Sequence, residues 1–278
     1  MFFIMKILVC IKQVPASSQV TVDTETGVLQ RSGHAAKLNP YDEYALETAL
    51  QIKTHIGGSV TAITMGAAFS ADILREAYGF GVDGAILLTD YAFAGADVLA
   101  TSFALSQAIQ AAGPFDLIIC GRQTTDGDTA QVGPALAEWL GIPHVSWVSK
   151  IVDVDSNKMV VEQDMGHLVA DTTMPYPCLI TVEKDIFRHR LPSYITLKRT
   201  RDYPIKTLTL ADLPCTDPAR YGLLGSPTQV ERTFPPEAGL PAEALTGTSQ
   251  EVAGLIYKKI GKLKLLSTKT TLGESAID

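Results

Sequence analysis

The apolar run Leu117-Ile118-Ile119-Cys120 breaks into a long polar turn, Gly121-Arg122-Gln123-Thr124-Thr125-Asp126-Gly127-Asp128-Thr129-Ala130-Gln131. Beyond the turn, Val132, Leu136 and Leu140 recur at helical spacing. A strand, a glycine-bearing turn and a helix make the repeating unit of an open parallel sheet. In that architecture ligands bind at the carboxyl ends of the strands. The first N–H groups of a helix lack intrahelical partners and attract anions, so the turn reads as a cradle for nucleotide phosphate. Two plainer features compete with that reading. Asp128 and Gln131 have capping-box spacing, which any helix start can use. Pro134 prefers the first helical turn, so the helix begins late or kinks there.

The same unit recurs from the start of the chain. Lys6 to Lys12 is a first strand, and Gln19 to Arg31, turning at Asp23-Thr24-Glu25-Thr26-Gly27, is a surface hairpin. Asn39 stands as N-cap before Pro40, with acids in the first turn and Tyr41, Ala45, Ala49 and Ile52 as the buried stripe. Asn39 reads equally as a cap and as a ligand contact, because its helix follows the first strand. Ser59 to Met65 is a second strand, closed by Gly66 before a helix from Ser70 to Tyr78. Gly84 to Thr89 is a third. The loop Phe93-Ala94-Gly95-Ala96-Asp97 opens a helix reaching Ala112, with Asp97 and Thr101 on one face. His144 to Val154 is a fifth strand. The fold class expected is α/β: a doubly wound, mostly parallel, Rossmann-like sheet of adenine-nucleotide-binding type, with a β-hairpin insertion and an extended C-terminal arm. The turn after the first strand, Ile11-Lys12-Gln13-Val14-Pro15, is not G-x-G-x-x-G, which disfavours a standard nicotinamide site. It also lacks the Ser-Gly-Gly-type phosphate loop that an ATP pyrophosphatase needs.

From Val152 the pattern changes. Residues 157–172 read as the hairpin insertion and Cys178 to Val182 as a further strand. Residues 185–201 are basic in an acidic protein and carry Leu191-Pro192 at their centre. That is either a solvated face or a partner-docking loop built on Arg188, Arg190, Leu191 and Pro192. Residues 214–247, rich in Pro, Gly and Thr, read as an extended arm and not a packed unit, one that with its helix packs equally well on another chain or back on its own sheet. Thr248 and Glu251 form a capping box before an amphipathic helix carrying Val252, Leu255, Ile256, Lys259 and Ile260. The boundary is therefore drawn between a nucleotide-binding domain, 1–213, and an arm with its helix, 214–278. A net charge of −7 over 278 residues excludes nucleic acid as the main partner. Four scattered cysteines without a C-x-x-C pair make neither a disulfide framework nor a zinc site. Lys6 and Lys12 interrupt the apolar start, so it is expected to be a strand and not a signal peptide. No run has membrane-spanning length, and a cytoplasmic protein is expected.

Taken together, several segments resemble the β subunit of the electron transfer flavoproteins, across nearly the whole chain. They are Leu8-Val9-Cys10-Ile11-Lys12-Gln13-Val14-Pro15, Asn39-Pro40-Tyr41-Asp42-Glu43, Thr64-Met65-Gly66, the stretch from Gly121 to Pro134, Met174-Pro175-Tyr176-Pro177-Cys178-Leu179-Ile180-Thr181 and Gly225-Ser226-Pro227-Thr228. The resemblance implies a heterodimer with a larger α subunit that carries the electron-transferring FAD and packs against the arm. It also implies an adenine nucleotide in this subunit. In the respiratory branch that nucleotide is AMP, without a redox role. In the electron-bifurcating branch it is a second FAD, reduced by NADH. One electron then goes to ferredoxin or flavodoxin, and one passes through the α-subunit FAD to a flavin-dependent dehydrogenase. The respiratory pattern is closer to Asn-Pro-Phe-Cys-Glu and Asp-Asp-Asp-Cys-Asn-Gln. Asn39-Pro40-Tyr41-Asp42-Glu43 and Asp126-Gly127-Asp128-Thr129-Ala130-Gln131 are similar to bifurcating members, so FAD is expected and AMP is the alternative.

What the resemblance implies for single residues is specific. Cys10 and Gly66 form the near wall, and Asn39 and Asp42 meet the ribose or adenine. Thr101 faces the flavin mononucleotide half, with the loop from Gly95 to Asp97. Gln123, Asp128, Thr129, Ala130, Gln131, Val132 and Gly133 cradle the pyrophosphate. Arg122 is a flavin or phosphate neighbour, or makes a surface ion pair. Asp126 and Asp128 cannot both face a diphosphate unpaired, so one is expected to cap its own loop and the other to face solvent. No catalytic side chain and no metal ligand is expected, because the redox chemistry belongs to the flavin. The flanks of Leu191-Pro192 differ from the respiratory pattern, which leaves the identity of a docking dehydrogenase open.

Overall fold

The structure, a computed structural model, describes residues 4–16, 36–231 and 244–263, with the backbone of Thr21–Val22 and Leu29–Gln30. In chain order the strands begin with β1 (Lys6–Cys10), β2 (Gln13–Pro15), β3 (Thr21–Val22), β4 (Leu29–Gln30) and β5 (Ala36–Leu38). Next come α1 (Pro40–Ile56), β6 (Ser59–Met65), α2 (Ala71–Phe80), β7 (Gly84–Leu88), α3 (Val98–Ala112), β8 (Leu117–Gly121) and α4 (Val132–Leu140). The second half holds β9 (His144–Val154), β10 (Lys158–Asp164), β11 (Val169–Pro175), β12 (Cys178–Val182), α5 (Tyr194–Thr200), β13 (Lys206–Leu208) and α6 (Ser249–Lys262).

The main sheet runs β11-β10-β9-β12-β8-β1-β6-β7-β13. Its centre is parallel, and the β10–β11 hairpin extends β9 in antiparallel fashion. The expected α/β class, doubly wound and mostly parallel, is what forms. Alternation along β1 shows why it has two cores. Ile7 and Val9 point into the layer of α1 and α2, with Ala45, Ala49, Leu74 and Tyr78. Leu8 and Cys10 point into the layer of α3 and α4, with Phe103, Ile118, Cys120 and Leu136. Strands covered on both faces must be apolar throughout, which is why Leu117-Ile118-Ile119-Cys120 is an unbroken run.

Three features depart from the reading of the sequence. β12 inserts between β8 and β9, although both precede it in the chain. β13 adds a short parallel edge to β7. The Pro- and Gly-rich residues from 214 to 231 do not stand away as an arm but pack on the α3 layer. There Tyr221 is buried between Phe93 and Phe103, with ring centroids 5.4 and 5.2 Å away. The first surface hairpin is present as β3 paired with β4, and its turn, 23–28, lies outside the described residues. So does 232–243, the middle of the expected arm.

A second compact unit begins at Thr233, and within it α6 is opened by the anticipated capping box. The Glu251 carboxylate accepts from the Thr248 N–H at 2.8 Å, and the Thr248 hydroxyl accepts from the Glu251 N–H at 3.4 Å. Among the described residues no helix is long and apolar enough to cross a membrane.

Candidate functional site

From β1 the chain builds outward to β6 and β7 on one side and to β8 and β12 on the other. The crevice between the carboxyl ends of β1 and β8 is therefore the topological switch point, where open α/β sheets take ligands. Cys10 and Cys120 lie directly opposite each other in the β1–β8 pairing. α1 starts immediately above them, and it reaches that position only because residue 121 is glycine. A Cβ on Gly121 would fall 2.4 Å from Asp42 Oδ1 and 2.7 Å from the Tyr41 carbonyl carbon. The buried Asp42 carboxyl accepts the Lys12 N–H at 2.7 Å. Burial pushes its pKa up to about 7, against the opposing pull of hydrogen bonds from Asn39 and the Lys12 N–H and of the Lys12 charge. Asp42 thus faces protein backbone beneath the crevice.

Asn39 occupies the N-cap position of α1 but its side chain makes no cap. Its amide donates to the Gln123 carbonyl at 2.9 Å, and its carbonyl accepts from the Thr125 N–H at 3.3 Å. The residue ties the start of α1 to the turn after β8. Lys12 ties the same turn from the β1 side, with Nζ 2.8 and 2.9 Å from the two oxygens of Asp126. The turn also closes on itself: the Asp128 N–H donates to the Thr124 carbonyl at 2.9 Å, and the Gln123 side chain donates to the Asp128 carboxylate. Asp128 and Ala130 take left-handed backbone conformations, with φ of 52° and 55°.

These contacts correct one expectation and bear on another. The Asp128–Gln131 capping box does not form, since Asp128 turns back to Gln123 and no side chain caps α4. Of the two aspartates, Asp128 closes its own loop through Gln123 as expected of one of them, while Asp126, though exposed, is paired with Lys12. α4 begins at Val132 with Pro134 in its first turn, where the missing N–H costs no helical bond. Gly133 lets that turn close on β12, since a Cβ there would lie 2.6 Å from Thr181 Cγ2. The outcome is a helix start whose first N–H groups, at Val132 and Gly133, are uncapped by side chains beside a turn anchored on three sides. Such a start suits a diphosphate.

The remaining expected residues divide. Cys10 ends β1 and Gly66 follows β6 on the same rim, and Gly66 is a close approach, 2.4 Å from Ser70 Oγ to where its Cβ would stand. The Cys120 thiol is pushed well above its ordinary pKa by its hydrogen bond to Cys10 and by burial, so Cys120 keeps its proton. Arg122 takes the ion-pair alternative, with Nη1 2.6 Å from Glu183 and the guanidinium 4.6 Å from the Trp147 ring centroid. Thr101 is half-buried, and its N–H donates to the Asp97 carbonyl at 2.9 Å. Thr129, Ala130 and Gln131 complete the turn, with Thr129 and Gln131 exposed.

The loop before α3 is itself covered. Asp97 caps α3 through the Ala100 N–H at 3.0 Å, and its other oxygen accepts from the Thr228 hydroxyl at 2.6 Å. Burial would raise the Asp97 pKa, but these hydrogen bonds outweigh it and hold it below the ordinary carboxylate value. Gly225-Ser226-Pro227-Thr228 is therefore the strap that locks the Asp97 loop.

In the basic segment 185–201 Leu191 is 83% exposed, followed on α5 by Tyr194 and Ile195, each 78% exposed. Arg188 is exposed, and Pro192 is half-buried near Gly79. Arg190 is not free: its Nε and Nη2 donate to Glu47 at 2.8 and 2.9 Å. Reading the sequence missed Glu47 and Lys12. Glu47 carried no signal, because it lies two residues from both Ala45 and Ala49 and so on the opposite side of α1 from the apolar stripe. A cleft of about 490 Å³, lined by Lys6, Asp83, Phe115 and Lys206 among others, lies at the amino ends of the strands, away from these groups.

The family model described as "Electron transfer flavoprotein domain" matches residues 26–213. The chain is 41% identical to the electron transfer flavoprotein subunit beta of Thermoanaerobacterium thermosaccharolyticum, over 92% of its own length and 98% of that protein. It is 38% identical to protein FixA of Bradyrhizobium diazoefficiens, over 97% of the chain and 96% of the relative. With the caffeyl-CoA reductase-Etf complex subunit CarD of Acetobacterium woodii it shares 40% identity, over 92% and 98%.

Proposed function

This chain belongs to the electron transfer flavoprotein family, as a β subunit, and from that premise we propose that its β1–β8 crevice holds FAD. With an α subunit it takes electrons from NADH at that flavin. It sends one to ferredoxin or flavodoxin and one, through the α-subunit FAD, to a flavin-dependent dehydrogenase. The observation that carries this reading is the turn from Gln123 to Gln131, anchored by Asn39 and Lys12 so that the start of α4 stays uncapped. The N–H groups of Val132 and Gly133 hold the pyrophosphate, and the helix dipole adds roughly 0.3–1 kcal/mol, up to about 2 where partly buried. Gly127 and Ala130 are small, which leaves room for a ligand larger than AMP. Gly66, Cys10 and Thr101 line the crevice, with Asp42 below it. The bound flavin supplies the redox chemistry, while this chain binds and orients it. Leu191 and Pro192, with Arg188 beside them, dock the dehydrogenase; the relative named as a subunit of a caffeyl-CoA reductase complex supports that class of partner.

The deciding experiment is cofactor content of the purified αβ heterodimer, by absorbance and chromatography of released ligands. Two FAD per heterodimer without AMP, and bleaching of both by NADH under anaerobic conditions, is the expected result. One FAD with one AMP would replace this reading with a nucleotide-stabilised scaffold that docks dehydrogenases.

A further inference from the structure

We propose that Glu47 is the positioning residue of the docking segment: through Arg190 it fixes the conformation in which Leu191 is presented to a partner protein. The inference rests on the docking reading of Leu191 and adds the device that holds it. A leucine that is 83% exposed gains nothing from burial, so its position must be set by its neighbours. On its amino side Glu47 receives three hydrogen bonds from Arg190, two from the guanidinium and one from the backbone N–H at 3.1 Å. Side chain and main chain of the residue before Leu191 are thereby fixed together. Gln51 donates to the same carboxylate at 2.6 Å.

One turn earlier on α1, the Tyr44 hydroxyl donates to Asp185 at 3.0 Å, and its ring meets His189 edge-on at 5.3 Å. Glu43 stands 3.4 Å from His189. On the carboxyl side of Leu191, Pro192 and Leu197 close over Gly79 of α2, within 3.1 and 2.4 Å of where a Cβ would stand. Leu191 is thus a tip slung between two helices of the nucleotide domain.

The Glu47 side chain is 1% exposed and that of Arg190 42%. A carboxylate so buried is costly unless paired. Removing Arg190 would strand it, whereas removing Glu47 leaves an arginine that can turn to water. Glu47→Ala and Glu47→Gln are therefore the clean variants, with Arg190→Lys retaining the charge but not the two-pronged contact.

The test uses the αβ heterodimer and two readouts: amide hydrogen exchange over 186–193, and electron transfer to a flavin-dependent acyl-CoA dehydrogenase as the probe. In Glu47→Ala, exchange over this segment is expected to rise at least about tenfold, the loss of a charged hydrogen bond. KM for the probe should rise by a similar factor at unchanged kcat and unchanged flavin content. Glu47→Gln and Arg190→Lys should lie between. Leu191→Ala should raise KM and leave exchange as it is. Exchange or KM unchanged in Glu47→Ala, with Leu191→Ala impaired, overturns this inference alone. KM unchanged in Leu191→Ala removes the docking reading and this inference with it.

Discussion

Asn39 shows how one side chain can be placed by sequence while its partners stay hidden. The Asn-Pro pair correctly starts α1, yet the amide is spent on the turn after β8. Its partners are 84 and 86 residues away, and no spacing rule encodes them. Asn39→Ala is expected to cost about 1 kcal/mol, because the half-buried Gln123 carbonyl and the Thr125 N–H lose their partner, and to lower nucleotide retention; a melting curve and released-ligand assay check both. Asn39→Asp should be worse, since a carboxylate would face the Gln123 carbonyl. Asp42 makes a sharper prediction. Its pKa is raised from 3.8 to about 7 in the folded state, chiefly by burial. Across that interval the folded chain keeps a proton that the unfolded chain releases. The stabilising contribution is therefore full at the acid end and lost as pH rises towards 7. Asp42→Asn removes this titration, so the wild type should lose stability relative to the variant as pH rises. A constant difference in unfolding free energy across that interval would refute the assignment.

At the scale of elements, the strands with unbroken apolar runs or clear alternation were legible: β6, β7, β8, β9 and β12 stand where the sequence puts them. β13 was not, because three residues carry no period. Nor was the packing of 214–231, where one buried aromatic, Tyr221, and the Ser226–Asp97 contact outweigh a composition typical of a free arm. The junction of α1 with β8 carries the strongest steric constraint on the site. Gly121→Ala places a methyl against the Tyr41 backbone, where nothing flexible can yield. It should cost roughly 1–3 kcal/mol by overpacking and push the start of α1 away from the turn it anchors. Loss of bound nucleotide beyond the loss in melting temperature would separate that local effect from general destabilisation.

Over the whole molecule, charge is unevenly spread: the chain is −7 overall, while the exposed Arg188, Lys198, Arg199 and Arg201 flank the exposed Leu191 and Tyr194 in sequence. Such a face speeds encounter with an acidic partner, and salt screens the effect within about 10 Å at 0.1 M. If the proposed dehydrogenase docks here, raising ionic strength should lower its association rate by about tenfold or more, and the Arg188→Ala chain should respond less steeply to salt in stopped-flow traces. The order of the sheet also dictates a history. β12 sits between β8 and β9, yet both are synthesised before it. A chain leaving the ribosome from its amino end exposes the free edge of β8 until Val182 emerges, an interval on the order of seconds at translation speed. An unpaired apolar edge invites a second nascent chain. For that interval the strand that later borders the β1–β8 crevice is an adhesive edge on the growing polypeptide, so crowded polysomes favour misassembly there.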